Sequence, residues 1–242
     1  MAGKDQINIY PLGDCAVVVE FATQMNNSLY PYITAFTDFI ESQPFPGFIE
    51  CIPSYTSVSV LYDPYAYLQY PSPFQEIKKI LLKKIEQLTI DSQSKARHIT
   101  IPVCYGGEWG PDLSCVAAYH GISEEEVIHI HSSAYYQVYM LGFSPGFPYI
   151  GGMPKKISTP RKSTPRLKVP SGSVGIGGEQ TGIYPLETPG GWNIIGQTPF
   201  TLFQPEHMPP TLLQRGDQVT FVPITQEEFV KIQREEKLKW DF

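Results

Sequence analysis

The first ninety residues mix two hydrophobic periods. Short apolar runs at Ile7–Tyr10, Cys15–Phe21, Phe48–Ile52 and Thr56–Tyr62 predict four strands, with a Leu12-Gly13-Asp14 turn joining the first two. Between the strand pairs, Ile33, Phe36, Phe39 and Ile40 recur at helical spacing. They predict a helix from about Ser28 to Ser42, with Pro31 tolerable in its first turn. The clearest helix is Phe74–Leu88, where Ile77, Ile80, Leu81, Ile85 and Leu88 form one stripe and lysines fill the other face. Two strand pairs, each followed by a helix, predict a sheet with helices on one face.

Thr89–Ala96 is polar and without periodicity, and reads as a linker. It divides the chain into a small α+β domain, 1–90, and a second domain, 91–242. The second opens with a strand at His98–Tyr105. Two short helices follow, the first capped by Asp112 and ending near Gly121, the second opened by a Ser123-x-x-Glu126 capping box. From Tyr135 onward the pattern is almost wholly β, with strands at Tyr136–Leu141, Leu167–Ile176, Gly191–Gly196 and Asp217–Pro223 and a charged helix at Gln226–Trp240. Many strands separated by turn signals predict a barrel or sandwich. No internal repeat is visible.

Composition sharpens this picture. Gly142–Pro210 holds 12 glycines and 12 prolines, a density that breaks helices, while its interleaved aromatic residues give it something to pack. No apolar run is long enough for a membrane span. The first residues carry no apolar segment of the kind that directs secretion, so a cytoplasmic protein is expected. Cys15, Cys51, Cys104 and Cys115 are widely spaced and read as reduced thiols. A net charge of −6 argues against a nucleic-acid binder.

That charge is unevenly spread. From Val127 to Gly178 there is no Asp or Glu, while Lys155, Lys156, Arg161, Lys162, Arg166 and Lys168 make the window formally +6 and the remainder −12. Such an island is either a solvated basic loop or a site that concentrates an anion. The arginines stand in two Thr-Pro-Arg triplets, and Gly172, Gly175, Gly177 and Gly178 follow; these glycines form either a tight β-hairpin or an anion-binding nest of backbone amides.

Three motifs invite chemistry. Gly142-Phe143-Ser144-Pro145-Gly146 matches the Gly-x-Ser-x-Gly nucleophile elbow, but the residue after the serine must donate its N–H and here it is proline. Pro145-Gly146 reads instead as the centre of a type II turn. The spacing of Cys104, Cys115, His120, His129 and His131 fits no zinc pattern, and no metal is expected. His131 lies near a helix C-terminus, where the dipole favours imidazolium; it is either a buried histidine satisfied by a backbone carbonyl or an acid–base or anion-binding group. Glu179–Tyr184, between glycine-rich turns, is either a loop that recognises a polar small molecule or simple turn chemistry.

Taken together, Leu141–Gly152, Thr159-Pro160-Arg161, Thr164-Pro165-Arg166, Val169–Val174, Gln180–Pro185 and Thr188–Trp192 resemble the family of 5-oxoprolinase B subunits (PxpB), also called KipI or allophanate hydrolase subunit 1. The Leu12-Gly13-Asp14 turn and Pro53–Ser57 fit as well. The resemblance implies a small α+β N-terminal domain followed by a mainly-β, cyclophilin-like barrel. It also implies a role as the B subunit of an ATP-dependent 5-oxoprolinase, opening 5-oxoproline to L-glutamate with subunits A and C. ATP is then used by the complex, with no cofactor bound by this chain. The alternative it implies is a KipI-type inhibitor of a sensor histidine kinase, a binding module without chemistry. Within the enzyme reading, the mouth of the barrel is expected to hold a small anionic substrate. His131 and Gln180 are then the candidate catalytic residues, and Arg161, Arg166, Ser171, Thr181, Tyr184 and Trp192 the candidate binding residues, with the two arginines clamping the anion.

Overall fold

A computed structural model describes residues 7–23, 29–89 and 96–240. The chain divides into two compact units, Met1–Lys95 and Ala96–Phe242. Most of the expected linker, 90–95, and the expected helix start at Ser28 lie outside the described residues.

In the first unit, β1 (Asn8–Pro11), β2 (Ala16–Glu20), β4 (Ser57–Tyr62) and β3 (Phe48–Pro53) form an antiparallel sheet in the order β1-β2-β4-β3. Alternation sets the register: Val17 and Val19 of β2 face Val60 and Val58 of β4. These four valines pack with Ile33, Phe36 and Ile40 of α1 (Tyr30–Ser42) and Ile77 and Leu81 of α2 (Pro73–Gln87). Helix α2 starts where the Ser72 hydroxyl accepts the N–H of Gln75 and Pro73 fills the first turn, which needs no donor there.

The second unit is a closed seven-stranded barrel in the order β10-β7-β6-β13-β5-β12-β9. Its strands are β5 (His98–Tyr105), β6 (Tyr136–Leu141), β7 (Pro148–Gly151), β9 (Ser173–Gly177), β10 (Gln180–Ile183), β12 (Asn193–Gln197) and β13 (Gln218–Pro223). Only β5 and β13 run parallel, from Gln218 opposite His98 to Pro223 opposite Val103. Two short strands, β8 (Arg166–Val169) and β11 (Thr188–Gly190), pair apart from the barrel. Helices α3 (Leu113–His120) and α4 (Glu124–Ser132) sit between β5 and β6, and α5 (Gln226–Trp240) follows β13. No helix among the described residues is long and apolar enough to cross a membrane.

Several expectations change. The single strand over Leu167–Ile176 is two, β8 and β9, split where Pro170 interrupts pairing and Gly172 turns the chain at φ +81°. The loop over Glu179–Tyr184 is largely strand β10, and β9 and β10 form the hairpin that is one reading of the glycine run. Asp112 stands at the N-cap of α3 but makes no capping bond there; Ser123 does cap α4, accepting the N–H of Glu126 at 3.2 Å.

The barrel interior is filled. Ile101, Val103, Val138, Ile150, Val174, Ile176, Ile183, Ile195, Val219 and Phe221 form one core with side chains of α3 and α4. The space inside the barrel is therefore occupied by packed side chains. Phe221 is buried at 1% exposure, and its ring centroid lies 4.5 Å from that of His131 and 5.1 Å from that of Tyr136. Phe221→Ala is expected to cost about 3–5 kcal/mol in urea denaturation. A loss below about 1 kcal/mol would mean that the interior is not a packed core.

Candidate functional site

The site lies on the outer wall of the barrel. Along β9 and β10, Val174, Ile176 and Ile183 point into the core, so the intervening Gly175, Gly177 and Gly182 face outward. Trp192, which leads into β12, lies directly against them. A Cβ on Gly177 would sit 2.6 Å from the indole Nε1, and one on Gly182 would sit 3.1 Å from Cζ3 of Trp192 and 3.2 Å from Cζ of Phe147. Glycine is required here because a ring occupies the space of the missing side chains.

Trp192 belongs to a second buried cluster with Phe147, Val169, Tyr184 and Ile194, and Tyr149 packs beside it. The rings meet edge to face, Phe147 to Trp192 at 5.7 Å and Phe147 to Tyr184 at 5.5 Å, the arrangement that ring quadrupoles favour. The Tyr184 hydroxyl accepts the backbone N–H of Trp192, and burial raises its pKa, offset in part by that bond and by Arg161 and Arg166. A phenol accepting such a bond keeps its own proton to donate.

The turn before Phe147 is built from the elbow-like motif. The N–H of Phe147 bonds the carbonyl of Ser144 at 3.0 Å, and Gly146 has φ +76°, as a type II turn centred on Pro145-Gly146 requires. The Ser144 Oγ is buried without a hydrogen-bond partner among the described residues, so no base stands beside it. One residue earlier, the N–H of Ser144 bonds the carbonyl of Gly142 across Phe143, which is held at φ +69°. That γ-turn is a costly conformation for an aromatic residue. It holds the exposed Phe143 ring 5.5 Å from Phe147.

The opposite wall is the segment from Ser158 to Arg166, held by backbone bonds. Thr159 bridges Gly178, the Asn193 amide donates to the carbonyl of Pro160 at 2.9 Å, and the N–H of Lys162 donates to the carbonyl of Gly191 at 2.7 Å. Its last turn is held by Asp112. That carboxylate takes both terminal nitrogens of Arg166 at 2.7 and 2.8 Å, the Lys162 ammonium at 2.7 Å and the N–H of Ile194 at 2.8 Å. Burial alone would raise the pKa of Asp112; the bonds from Arg166, Lys162 and Ile194 outweigh it and hold the group below the ordinary carboxylate range.

Between the two walls is a cavity of about 250 Å³ whose lining includes Phe143, Phe147, Tyr149, Arg161, Tyr184 and Trp192. The Arg161 guanidinium stands 5.7 Å from the Trp192 ring centroid. Of the eight candidate residues, Arg161, Tyr184 and Trp192 thus meet at one cavity.

The other five do not line it. Arg166 is consumed by Asp112, so the expected pair of clamping arginines is reduced to one. Ser171 donates to the carbonyl of Pro185 at 2.7 Å. Gln180 opens β10 opposite Gly177. Thr181 and His131 are inside the barrel, both fully buried. Thr181 Oγ1 donates to the carbonyl of Gly175 at 3.0 Å and so accepts from His131 Nε2 at 3.0 Å, while His131 Nδ1 accepts from the Tyr105 hydroxyl at 2.8 Å. His131 is therefore satisfied by side chains rather than by the expected backbone carbonyl. It is neutral, because burial lowers its pKa to about 3 and overrides the helix dipole.

The cationic window is also largely neutralised. Lys155, Lys156 and Lys168 pair with Glu179, Glu126 and Glu187, and Lys162 and Arg166 with Asp112. Among the described residues, Arg161 alone of the six makes no ion pair. Asp112, Phe143 and Tyr149 belong to the site without having been candidates from the sequence. The signal for Asp112 is the window itself, which needs a carboxylate from elsewhere to anchor it. Phe143 is visible only as an x in a motif matched for its serine.

Residues 7–213 match the family described as carboxyltransferase domain, subdomain C and D. The chain is 50% identical over 226 residues to the 5-oxoprolinase B subunit of Bacillus subtilis, covering 91% of this chain and 94% of that one. It is 42% identical over 217 residues to the 5-oxoprolinase B subunit of Escherichia coli O157:H7, covering 88% and 94%. Among solved structures, a conserved uncharacterised protein of Pyrococcus horikoshii is 44% identical with a TM-score of 0.55, covering 92% of this chain and 100% of that one. The urea carboxylase of Kluyveromyces lactis, 22% identical with a TM-score of 0.76 over 95% of this chain and 23% of that one, shares the fold.

The buried neutral imidazole makes stability depend on pH. The unfolded chain protonates His131 near 6.5 and the folded chain only near 3, so its contribution is complete above pH 6.5 and is lost as pH falls toward 3. Wild-type stability is expected to fall through that window by about 1.4 kcal/mol per pH unit more steeply than His131→Gln, measured by denaturant titration at stepped pH. Parallel curves for the two proteins would show that His131 protonates freely in the fold.

Proposed function

This chain belongs to the family of 5-oxoprolinase B subunits, and we propose that it is the B subunit of an ATP-dependent complex that opens 5-oxoproline to L-glutamate with subunits A and C. The observation that carries its role is the outer-wall cavity, where one unpaired guanidinium stands among aromatic faces. 5-Oxoproline is a five-membered lactam bearing one carboxylate. Its ring suits the aromatic walls, its carboxylate suits Arg161, and the Tyr184 hydroxyl can donate to an oxygen of the ligand.

In the overall reaction the ring C–N bond breaks, a water oxygen joins the carbonyl carbon, and the freed nitrogen takes up protons to leave as the amine of glutamate. ATP hydrolysis to ADP and phosphate accompanies it. The lining of the cavity contains neither a carboxylate nor an imidazole. We therefore give this chain the tasks of binding and orienting, and give the bond-breaking groups to the partner subunits. His131 and Gln180, expected from the sequence to be catalytic, have no such role in this reading. The barrel is taken as cyclophilin-like, and the complex as cytoplasmic, where ATP is at hand. The kinase-inhibitor alternative calls for one broad apolar face. Large apolar residues are exposed in both units, among them Ile49, Tyr65 and Leu68 in the first and Tyr119, Tyr135, Leu167 and Met208 in the second, spread over several segments of the chain.

The test is ATP-dependent glutamate release by the chain assembled with subunits A and C. Arg161→Gln removes one charge-assisted bond, about 1.5–3 kcal/mol, and is expected to raise KM for 5-oxoproline about tenfold or more. Unchanged kinetics would remove Arg161 from the substrate site. Absence of any glutamate release by the wild-type assembly would overturn the enzyme reading.

A further inference from the structure

We infer that Asp112 sets the charge limit of the outer-wall cavity: by withholding Lys162 and Arg166 it leaves a single cation there and so excludes a dianion such as phosphate. The inference deepens the reading above and rests on it only in taking the cavity as a ligand site.

The charge inventory carries the argument. Three cations, Arg161, Lys162 and Arg166, stand on the segment that supplies one wall of the cavity, and of these Arg161 lines it. Asp112 binds two of them, taking Arg166 with both carboxylate oxygens and Lys162 with one. Asp112 is itself 2% exposed and is fixed from a third side by the N–H of Ile194, so it cannot turn away to release them without leaving a buried donor unpaired. Arg161, two residues beyond the Thr159–Gly178 bridge, is left on Trp192 as the one cation facing the cavity.

One guanidinium matches one carboxylate, with two parallel N–H···O bonds available. A dianion entering the same space would bring a second charge among Phe147, Tyr149 and Trp192, with no cation to meet it. An unpaired charge in such surroundings is costly. The cavity, about 250 Å³, is below the size range of pockets for drug-sized ligands and suits a single ring. Its rim carries Phe143, which is 67% exposed and held at φ +69° with its ring 5.5 Å from that of Phe147.

The experiment is calorimetric titration of the full chain with three probes at one ionic strength and at a pH well above the second ionisation of phosphate, so that phosphate is the dianion: 5-oxoproline, cyclopentanecarboxylate and inorganic phosphate. Cyclopentanecarboxylate is expected to bind saturably, phosphate at least tenfold more weakly, and Arg161→Gln to weaken binding of the carboxylate about tenfold or more. Asp112→Asn frees the two withheld cations and is expected to shift the phosphate-to-carboxylate affinity ratio at least tenfold toward phosphate. If Asp112→Asn does not fold, the wild-type ratio decides alone. Phosphate binding as tightly as the carboxylate, or no binding of either monocarboxylate, overturns the inference. Binding of cyclopentanecarboxylate with rejection of 5-oxoproline supports the inference while defeating the proposed substrate.

Discussion

The outer wall of the second unit is organised around the buried carboxylate of Asp112. Asp112 sits at the start of α3, yet its bonds go to Arg166 and Lys162 on the outer segment and to the N–H of Ile194 in β12. It thus joins the outer segment and β12 to a helix that lies fifty or more residues upstream of both. A buried carboxylate tolerates its loss of water only when every lone pair is met, and here four donors meet it. Truncating it would leave a guanidinium, an ammonium and an amide short of a partner at once. The position of Arg161, and with it the far wall of the cavity, follows from this anchorage.

The barrel itself contributes a surface rather than a container. Its interior is occupied by aliphatic side chains and by the neutral His131, whose hydrogen bonds run from Tyr105 in β5 to Thr181 in β10 and on to the carbonyl of Gly175 in β9. The outward positions of β9 and β10 are glycines, so the outside of the wall accepts Trp192 against its backbone. Inside and outside are coupled at the same strands: Thr181 faces the imidazole, and its neighbour Gly182 faces the indole. Placing a ligand site on an outer wall leaves it open on one side, which suits a subunit whose chemistry is completed by others.

Much of this is legible in the sequence, for identifiable reasons. Strands β2 and β4 and helix α2 declare themselves, the strands as short apolar runs and the helix as one apolar stripe opposite a face of lysines. Pro145-Gly146 is legible as a turn because only glycine takes the second position easily. Strand β10 is not, because Gly182 weakens any strand signal and its reason, the ring of Trp192, comes ten residues later. Leu167–Ile176 reads as one strand because Leu167 and Val169 alternate at one end and Val174 and Ile176 at the other, while the break at Pro170 and Gly172 depends on each half pairing with a different partner. Arg166 reads as a free cation in the sequence because its acid lies 54 residues upstream. His131 reads from its helix end, where the dipole acts, although full burial beneath Phe221 decides its charge.

The central claim is that the aromatic cavity between Trp192 and Arg161, on the outside of the barrel, is where this chain holds a small carboxylate. A crystal structure of the chain soaked with 5-oxoproline tests it most directly. Density for the ring is expected against Trp192 and Phe147, with the carboxylate on the Arg161 guanidinium and the Asp112–Arg166 pair undisturbed. Ligand density on Arg166 with Asp112 displaced, or bound inside the barrel beside His131, would contradict it.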